Sequence, residues 1–402
     1  MDTQELVAKL ARKTDSKIVL LVMDGLGGLP VGPQAKTELE MAKKPNMDKL
    51  AKAGVLGVAD PVGRGITPGS GPGHLALFGY DPVKYLIGRG VLEALGIDFP
   101  LKPGDIAIRI NFCAVDDKGL ITDRRAGRIS TEANAKLCSK LKSKIKVSDA
   151  EYFLEPVKEH RAALVFRGKG LGDKLNDTDP QVTGKAPEPM VAGDKESEKT
   201  KKLAEDFVAQ AKKVLKDEHP ANMLLLRGFA SFQRCPSFDE IYKLKACAIA
   251  QYPMYKGLAR LVGMEVLPVG PELEDLFRAL EENYKKFDFF FVHVKKTDSA
   301  GEDGDWARKV EVIEKVDKFI PRVTKLKPEV LVITGDHSTP SKLKAHSWHP
   351  VPVLISTEFS RTDMAKEFGE RACLQGALGR IPMKDLMSLA MAYALKLEKF
   401  GA

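Results

Sequence analysis

Short apolar runs that end abruptly in polar residues set the pattern of this chain. Lys17-Ile-Val-Leu-Leu-Val-Met23, Phe287-Asp-Phe-Phe-Phe-Val-His-Val294 and Val330-Leu-Val-Ile-Thr334 are β-branched or aromatic and almost continuously hydrophobic. Runs of that kind predict strands buried on both faces of a parallel sheet. Glu265–Val269 and Val351–Ile355 predict two more strands. Helical spacing of apolar residues appears over Ile241–Ile249, Met254–Val262, Glu272–Tyr284, Arg308–Lys325 and Pro382–Leu397. Thr37–Ala53 is helical too, with Pro45 at the start of a helix, since proline in the interior would remove a ladder bond. Alternating strands and helices predict an α/β fold with a helix-covered, mostly parallel sheet.

The texture changes in the middle of the chain. Ala107–Val115 alternates like a strand covered on one side, and His160–Phe166 and Met223–Arg227 supply further strands. Ser130–Lys142 reads as a helix with Ser130 or Thr131 as N-cap. Thr178–Thr200, rich in proline, glycine and charge, reads as a long surface loop. Glu198–Leu215 reads as an amphipathic helix packed on the sheet. The expected organisation is an α+β insertion over 105–230 that splits a core made of 1–104 and 231–402.

Composition narrows the partners. A chain of 402 residues has room for two domains, and 44% hydrophobic content suits a globular protein. The chain has no uninterrupted apolar stretch of 18 residues, and its start, Met1-Asp-Thr-Gln-Glu, is polar. Neither a membrane span nor a signal peptide is expected, which makes the cytoplasm the expected compartment. Five cysteines, odd in number and without a C-x-x-C pair, fit free thiols in a reducing environment. The net charge of +8 comes from 63 basic residues interleaved with 55 acidic ones. With no basic tail, this favours a small anionic substrate over nucleic acid.

The polar ends of the strands carry the candidate chemistry. Asp24 follows the first run, Asp298 the second, and Asp336-His337 the third, with His346 nine residues on. Ligands of open parallel sheets sit beyond the carboxyl ends of strands. If these strands are parallel neighbours, the carboxylates converge, and converged carboxylates repel unless cations neutralise them. Glu302 lies one helical turn beyond Asp298. Asp303 and Asp305 read as a solvated acidic loop, and His293 and His349 as supporting or packing imidazoles. In Gly65–His74, one hydroxyl, Ser70, sits among glycines at a loop-to-helix junction, where free N–H groups favour an anion. No G-x-S-x-G elbow accompanies it, so a metal is the better activator for this serine.

Taken together, Met23-Asp24-Gly25, Pro45-Asn46, Pro68-Gly69-Ser70, Gly79-Tyr80-Asp81-Pro82, Asp123-Arg124-Arg125-Ala-Gly127-Arg128, Thr297-Asp298, Gly335-Asp336-His337-Ser338-Thr339-Pro340 and His346-Ser347 resemble the cofactor-independent phosphoglycerate mutases. The likeness is closest to their archaeal-type branch, within the alkaline phosphatase superfamily. It implies an alkaline-phosphatase-like core and two divalent metal ions, commonly manganese, with magnesium, cobalt or zinc as alternatives. It also implies no need for 2,3-bisphosphoglycerate. By resemblance, Asp24, Ser70, Asp336 and His337 hold one metal, and Asp298, Glu302 and His346 the other. Position 302 departs from the family pattern, which has histidine there. Glutamate is a harder ligand and shifts preference toward manganese or magnesium over zinc.

The resemblance further implies that Ser70 carries the phosphoryl group, that Lys256 stabilises its alkoxide, and that Asp123 is a base. Arg124 and Arg128, with Arg109, Arg161 and Arg227, would grip the substrate, because guanidinium binds carboxylate and phosphate bidentately. The implied reaction interconverts 3- and 2-phosphoglycerate through a phosphoserine. A related metal-dependent phosphotransferase or phosphatase, homoserine-kinase-like or phosphomonoesterase, is the alternative.

Overall fold

A computed structural model describes residues 3–32, 35–362 and 364–401. Its strands in chain order are β1 (Ile18–Met23), β2 (Val55–Asp60), β3 (Ile106–Val115), β4 (Ile121–Asp123), β5 (Glu151–Lys158), β6 (Arg161–Arg167) and β7 (Met223–Ser231). They continue with β8 (Ala246–Ile249), β9 (Glu265–Val266), β10 (Phe289–Val294), β11 (Val330–Thr334), β12 (Val351–Thr357) and β13 (Gly379–Pro382). The chain forms two compact units. One runs to Leu86 and resumes at Cys235; the other is Ile87–Arg234.

The first unit is built on an eight-stranded sheet in the order β13-β2-β12-β11-β1-β10-β8-β9. Only β12 runs against its neighbours, pairing antiparallel with β11 and β2. The expected neighbours are neighbours: β1 lies between β10 and β11, parallel to both. Every residue of these three strands is buried. That is why they read as continuous apolar runs rather than alternating ones. Val19, Leu21, Phe290, Val292, Leu331 and Ile333 share one core with the helices Leu273–Asn283 and Trp306–Asp317.

Several expectations change in detail. The stretch Ile241–Ile249, expected as one helix, is a short helix, Phe238–Tyr242, followed by β8. Lys243 adopts a left-handed conformation that ends the helix, and Ala246–Ile249 is buried beside β10. An apolar run of this length is compatible with either state by periodicity alone. Arg308–Lys325 is two helices, Trp306–Asp317 and Ile320–Lys325, the second with Pro321 in its first turn. The C-terminal helix is Leu386–Tyr393, shorter than expected.

The second unit is a five-stranded antiparallel sheet, β4-β3-β6-β5, with β7 on the other side of β3. Ile106, Ile108, Ile110 and Phe112 pack against the helices Thr131–Lys144 and Lys195–Leu215. Ser130 caps the first of these helices by accepting from Ala133 N–H, as its position predicts. The opposite face carries the helix Arg89–Gly96. A methyl group at Gly90 would lie 2.1 Å from the Ala107 carbonyl, so this helix sits directly on the sheet backbone. That packing groups Arg89–Gly96 with the second unit, whereas the sequence reading placed 87–104 with the core. The expected loop over 178–200 is tied down: Thr178 and Asp179 are buried, Thr178 and Leu226 bond through their backbones, and the following helix starts at Lys195. The five cysteines are buried and unpaired. Among the described residues no helix is long and apolar enough to cross a membrane.

Candidate metal and phosphoryl site

The three central strands of the first unit deliver their polar ends to one level. Met23 pairs with Val294, and Val22 with both His293 and Thr334. Asp24, Asp298, Asp336 and His337 are all fully buried there. Gly25 makes the turn after β1 with φ +64°, and a Cβ on it would fall 2.5 Å from Thr339 Oγ1 and 2.9 Å from Asp298 Oδ1. Glycine is the residue that both the backbone and the space require.

Two overlapping donor sets result. Asp24, Asp336 and His337 present ligand atoms within 4.8 Å of one another, and so do Asp298, His337 and His346. The hydrogen bonds around them fix the imidazole tautomers. His346 Nδ1 lies 2.9 Å from the Pro68 carbonyl, which can only accept, so Nδ1 carries the proton. Nε2 is then a lone pair, and it faces Asp298 Oδ1 at 3.7 Å and Glu302 Oε1 at 3.8 Å. Thr339 Oγ1 donates to Asp298 Oδ1 at 2.6 Å and therefore accepts from His337 Nδ1 at 2.9 Å. His337 Nε2 is thus a second lone pair, 3.4 Å from Asp24 Oδ1 and 3.1 Å from Asp336 Oδ2. Both of those carboxylate oxygens are buried without a hydrogen-bond partner. Lone pairs facing one another in a buried site are costly unless a cation lies among them. The donor atoms fit divalent metal ions, with Nδ1 of each histidine held by a neighbour as metal-binding imidazoles usually are.

Ser70 opens the helix Ser70–Leu77, with its Oγ 3.3 Å from His337 Nε2. A Cβ on Gly73 would sit 2.4 Å from the Asp336 carbonyl, so this helix start packs directly on the ligand loop. His74, one turn on, is buried with Nδ1 2.8 Å from the Ser70 carbonyl and 3.1 Å from Asp336 Oδ2. Burial alone would lower its pKa, but the Asp336 carboxylate outweighs that and raises it. His293, expected as a supporting imidazole, bonds Asp24 Oδ2 at 3.1 Å. His349 bonds Ser347 Oγ instead of a ligand carboxylate. Asp303 and Asp305 are exposed, and Asp305 caps the next helix.

Lys295, which the sequence reading did not single out, lies at this site. Lys256, on the helix Pro253–Leu261, is half-buried and makes no ion pair among the described residues. Lys295 does: its ammonium contacts Asp298 Oδ2 and lies 3.3 Å from Asp24 Oδ2. Burial opposes its charge, but Asp24 and Asp298 outweigh burial and raise its pKa. The rings of Tyr252 and Tyr255 flank it at 6.0 and 5.6 Å. Tyr255 is buried, its ring is 3.8 Å from that of His293, and its hydroxyl has no hydrogen-bond partner. The cue for Lys295 was its place at the end of β10, three residues before Asp298. Thr339 and Tyr255 carried no cue beyond adjacency to named residues.

In the second unit, Arg109 stands between Ala163 and Arg227 in register. Burial lowers its pKa, with Arg161, Arg227 and Arg89 adding to the effect and Glu93 opposing it. Glu93 pairs with Arg109 at 3.4 Å and Arg161 at 3.1 Å, while Arg227 pairs with Asp177 and Asp179. Arg124 is committed to Asp179 through two 2.8 Å bonds. Arg128 is exposed at φ +53°. Asp123 accepts from Arg125 N–H at 2.7 Å and Gly127 N–H at 2.6 Å. Burial raises its pKa, but those two bonds outweigh it and the net shift is downward.

An open, mostly parallel sheet with paired metal-donor sets and a serine at a helix start defines a phosphoryl-transfer type of site. Residues 51–222 match the model of the 2,3-bisphosphoglycerate-independent phosphoglycerate mutase family. A protein of Thermotoga neapolitana named "Probable 2,3-bisphosphoglycerate-independent phosphoglycerate mutase" is 53% identical over the full length of both chains. One of the same name from Thermus thermophilus is 51% identical, again over both full lengths. Of solved structures, a protein from Pyrococcus horikoshii superposes with a TM-score of 0.83 at 32% identity, covering 97% of this chain and all of that one. The cofactor-independent phosphoglycerate mutase of Thermoplasma acidophilum gives 0.73 at 31% identity, over 94% of this chain and all of that one. The chain belongs to the 2,3-bisphosphoglycerate-independent phosphoglycerate mutase family, a family of isomerases.

Proposed function

We propose that this protein interconverts 3-phosphoglycerate and 2-phosphoglycerate through a phosphoserine at Ser70, with two divalent metal ions and without 2,3-bisphosphoglycerate. Membership of the family supports the reaction. The observation that carries the mechanism is the placing of Ser70 Oγ 3.3 Å from His337 Nε2, beside both donor sets. Asp24, Ser70, Asp336 and His337 would hold one metal, and Asp298, Glu302 and His346 the other. The oxygen-rich donor set favours manganese or magnesium over softer ions. Bound there, the metals would lower the cost of ionising the serine and neutralise phosphoryl oxygens.

Ser70 Oγ forms a bond to phosphorus as the phosphorus–oxygen bond to the substrate breaks, and the proton Ser70 gives up ends on the departing glycerate oxygen. The other glycerate hydroxyl then accepts the phosphoryl group as the phosphorus–oxygen bond to Ser70 breaks, and the proton it gives up ends on Ser70 Oγ, restoring the serine. The helix start at Ser70 adds unpaired N–H groups that favour the phosphoryl oxygens. In the second unit, the cluster of Arg109, Arg161 and Arg227 has the chemistry to bind a carboxylate. The small phosphorylated substrate is the partner this reading requires; neither nucleic acid nor a membrane enters it.

The test is trapping of phosphoserine. The manganese-loaded protein is quenched during turnover of 3-phosphoglycerate and analysed by peptide mass spectrometry. Phosphate on the peptide containing Ser70 supports the reading, and a peptide that stays unmodified while product forms overturns it.

A further inference from the structure

Asp24 and Asp298 each divide their two oxygens in the same way. Oδ1 of each faces a donor set: Asp24 Oδ1 looks toward His337 Nε2, and Asp298 Oδ1 toward His346 Nε2. Oδ2 of each faces Lys295, and Asp24 Oδ2 also bonds His293. One ammonium therefore joins a carboxylate from each donor set through the oxygen that does not face His337 or His346. It is held in place by contacts with both carboxylates and by two flanking tyrosine rings. A long side chain confined in this way by charge and packing is not a solvated surface lysine.

Charge bookkeeping gives this contact a purpose. Asp24, Asp298, Glu302 and Asp336 supply four negative charges, which two divalent ions would cancel. With Glu302 among the four carboxylates, a site holding two metals has no net attraction for a phosphoryl dianion unless another cation contributes.

We propose that Lys295 is a third, protein-borne cation of this site, one that occupies the outer oxygens of Asp24 and Asp298 and adds the positive charge that four carboxylates would otherwise cancel. It is a positioning residue for the two carboxylates, and it competes with the metals for their negative charge. The inference rests on the two-metal reading above.

Two affinities should move in opposite directions. In Lys295→Met, the full-length protein stripped of metal should bind manganese more tightly, by roughly tenfold, because the competing ammonium is gone. The manganese-loaded variant should bind inorganic phosphate more weakly, again by roughly tenfold. Lys295→Arg should keep both affinities near those of the unaltered protein. Adding Glu302→Gln to Lys295→Met should recover phosphate binding. Isothermal titration reads both affinities, and Lys295→Gln carries the test if the methionine variant does not fold. A purely structural lysine would weaken both or change neither, and either result overturns the proposal. If the unaltered protein binds two manganese ions but shows no mutase turnover, the proposed function fails while the metal arm of this test still stands.

Discussion

The imidazole rings of His337 and His346 stack with centroids 3.6 Å apart and planes 25° from parallel. The pair closes the single β11–β12 connection on itself, and each ring is locked at Nδ1 by a neighbour. The two Nε2 lone pairs are therefore fixed in place before any ligand arrives. Such preorganisation is what gives a metal site its affinity and its geometry.

Thr339 is the residue that locks His337, and it also holds Asp298. Thr339→Val keeps the volume and removes the hydroxyl. Manganese affinity should fall by about 10–100-fold, the usual cost of losing an outer partner of a metal ligand. Equilibrium dialysis with metal analysis checks this; unchanged affinity would show that the ring needs no anchor.

His346→Ala should remove one metal and spare the other. Asp24, Asp336 and His337 form a complete set without it. Metal content measured after dialysis should drop from two ions per chain toward one.

Gly25→Ala should harm both the fold and the site. The substitution puts a Cβ into Thr339 and Asp298 and forces alanine into a left-handed conformation. A loss of about 1–3 kcal/mol in urea unfolding is expected, together with weaker metal binding.

Glu302→His should move metal preference toward zinc. The Glu302 side chain is exposed with Oε1 3.8 Å from His346 Nε2, so in the two-metal reading it would serve as a hard oxygen donor. Imidazole removes a negative charge and suits zinc better. Competition between manganese and zinc, read by metal analysis, should favour zinc more in the variant than in the unaltered chain.

His160 gives a pH signature in the second unit. Burial, together with Arg161 and Arg109, lowers its pKa to about 4. Its folded value is depressed, so the stability it contributes is full above the unfolded value of about 6.5 and is lost as pH falls toward 4. Across that window the unfolded chain binds more protons than the folded one. Urea unfolding at pH 7 and pH 4.5 should show a larger acid loss in the unaltered protein than in His160→Gln, by on the order of 1–2 kcal/mol. Equal losses would contradict the assignment.

What was legible in the sequence follows from where the physics is local. Met23-Asp24, Thr297-Asp298 and Gly335-Asp336-His337 were readable because a buried parallel strand is apolar to its last residue, and the polar end stands out. That the three ends meet required only that β10, β1 and β11 be parallel neighbours, and they are. Lys295 was missed because a lysine after a strand looks solvated; only the fold shows it turned toward two buried carboxylates. Lys256 was chosen by resemblance, and its place on the helix Pro253–Leu261 gives it no such contact. β8 was misread because Ala246–Ile249 is too short to show a period, and its strand state comes from pairing with β10. Asp123 was named as a base by resemblance alone; only the fold shows two backbone N–H groups bonded to its oxygens.

The most direct test of the account is a coupled assay for 2-phosphoglycerate formed from 3-phosphoglycerate, with manganese, without 2,3-bisphosphoglycerate, and with free phosphate followed in parallel. The account predicts turnover without phosphate release, abolished by Ser70→Ala. Release of phosphate without 2-phosphoglycerate, or full turnover in Ser70→Ala, would contradict it.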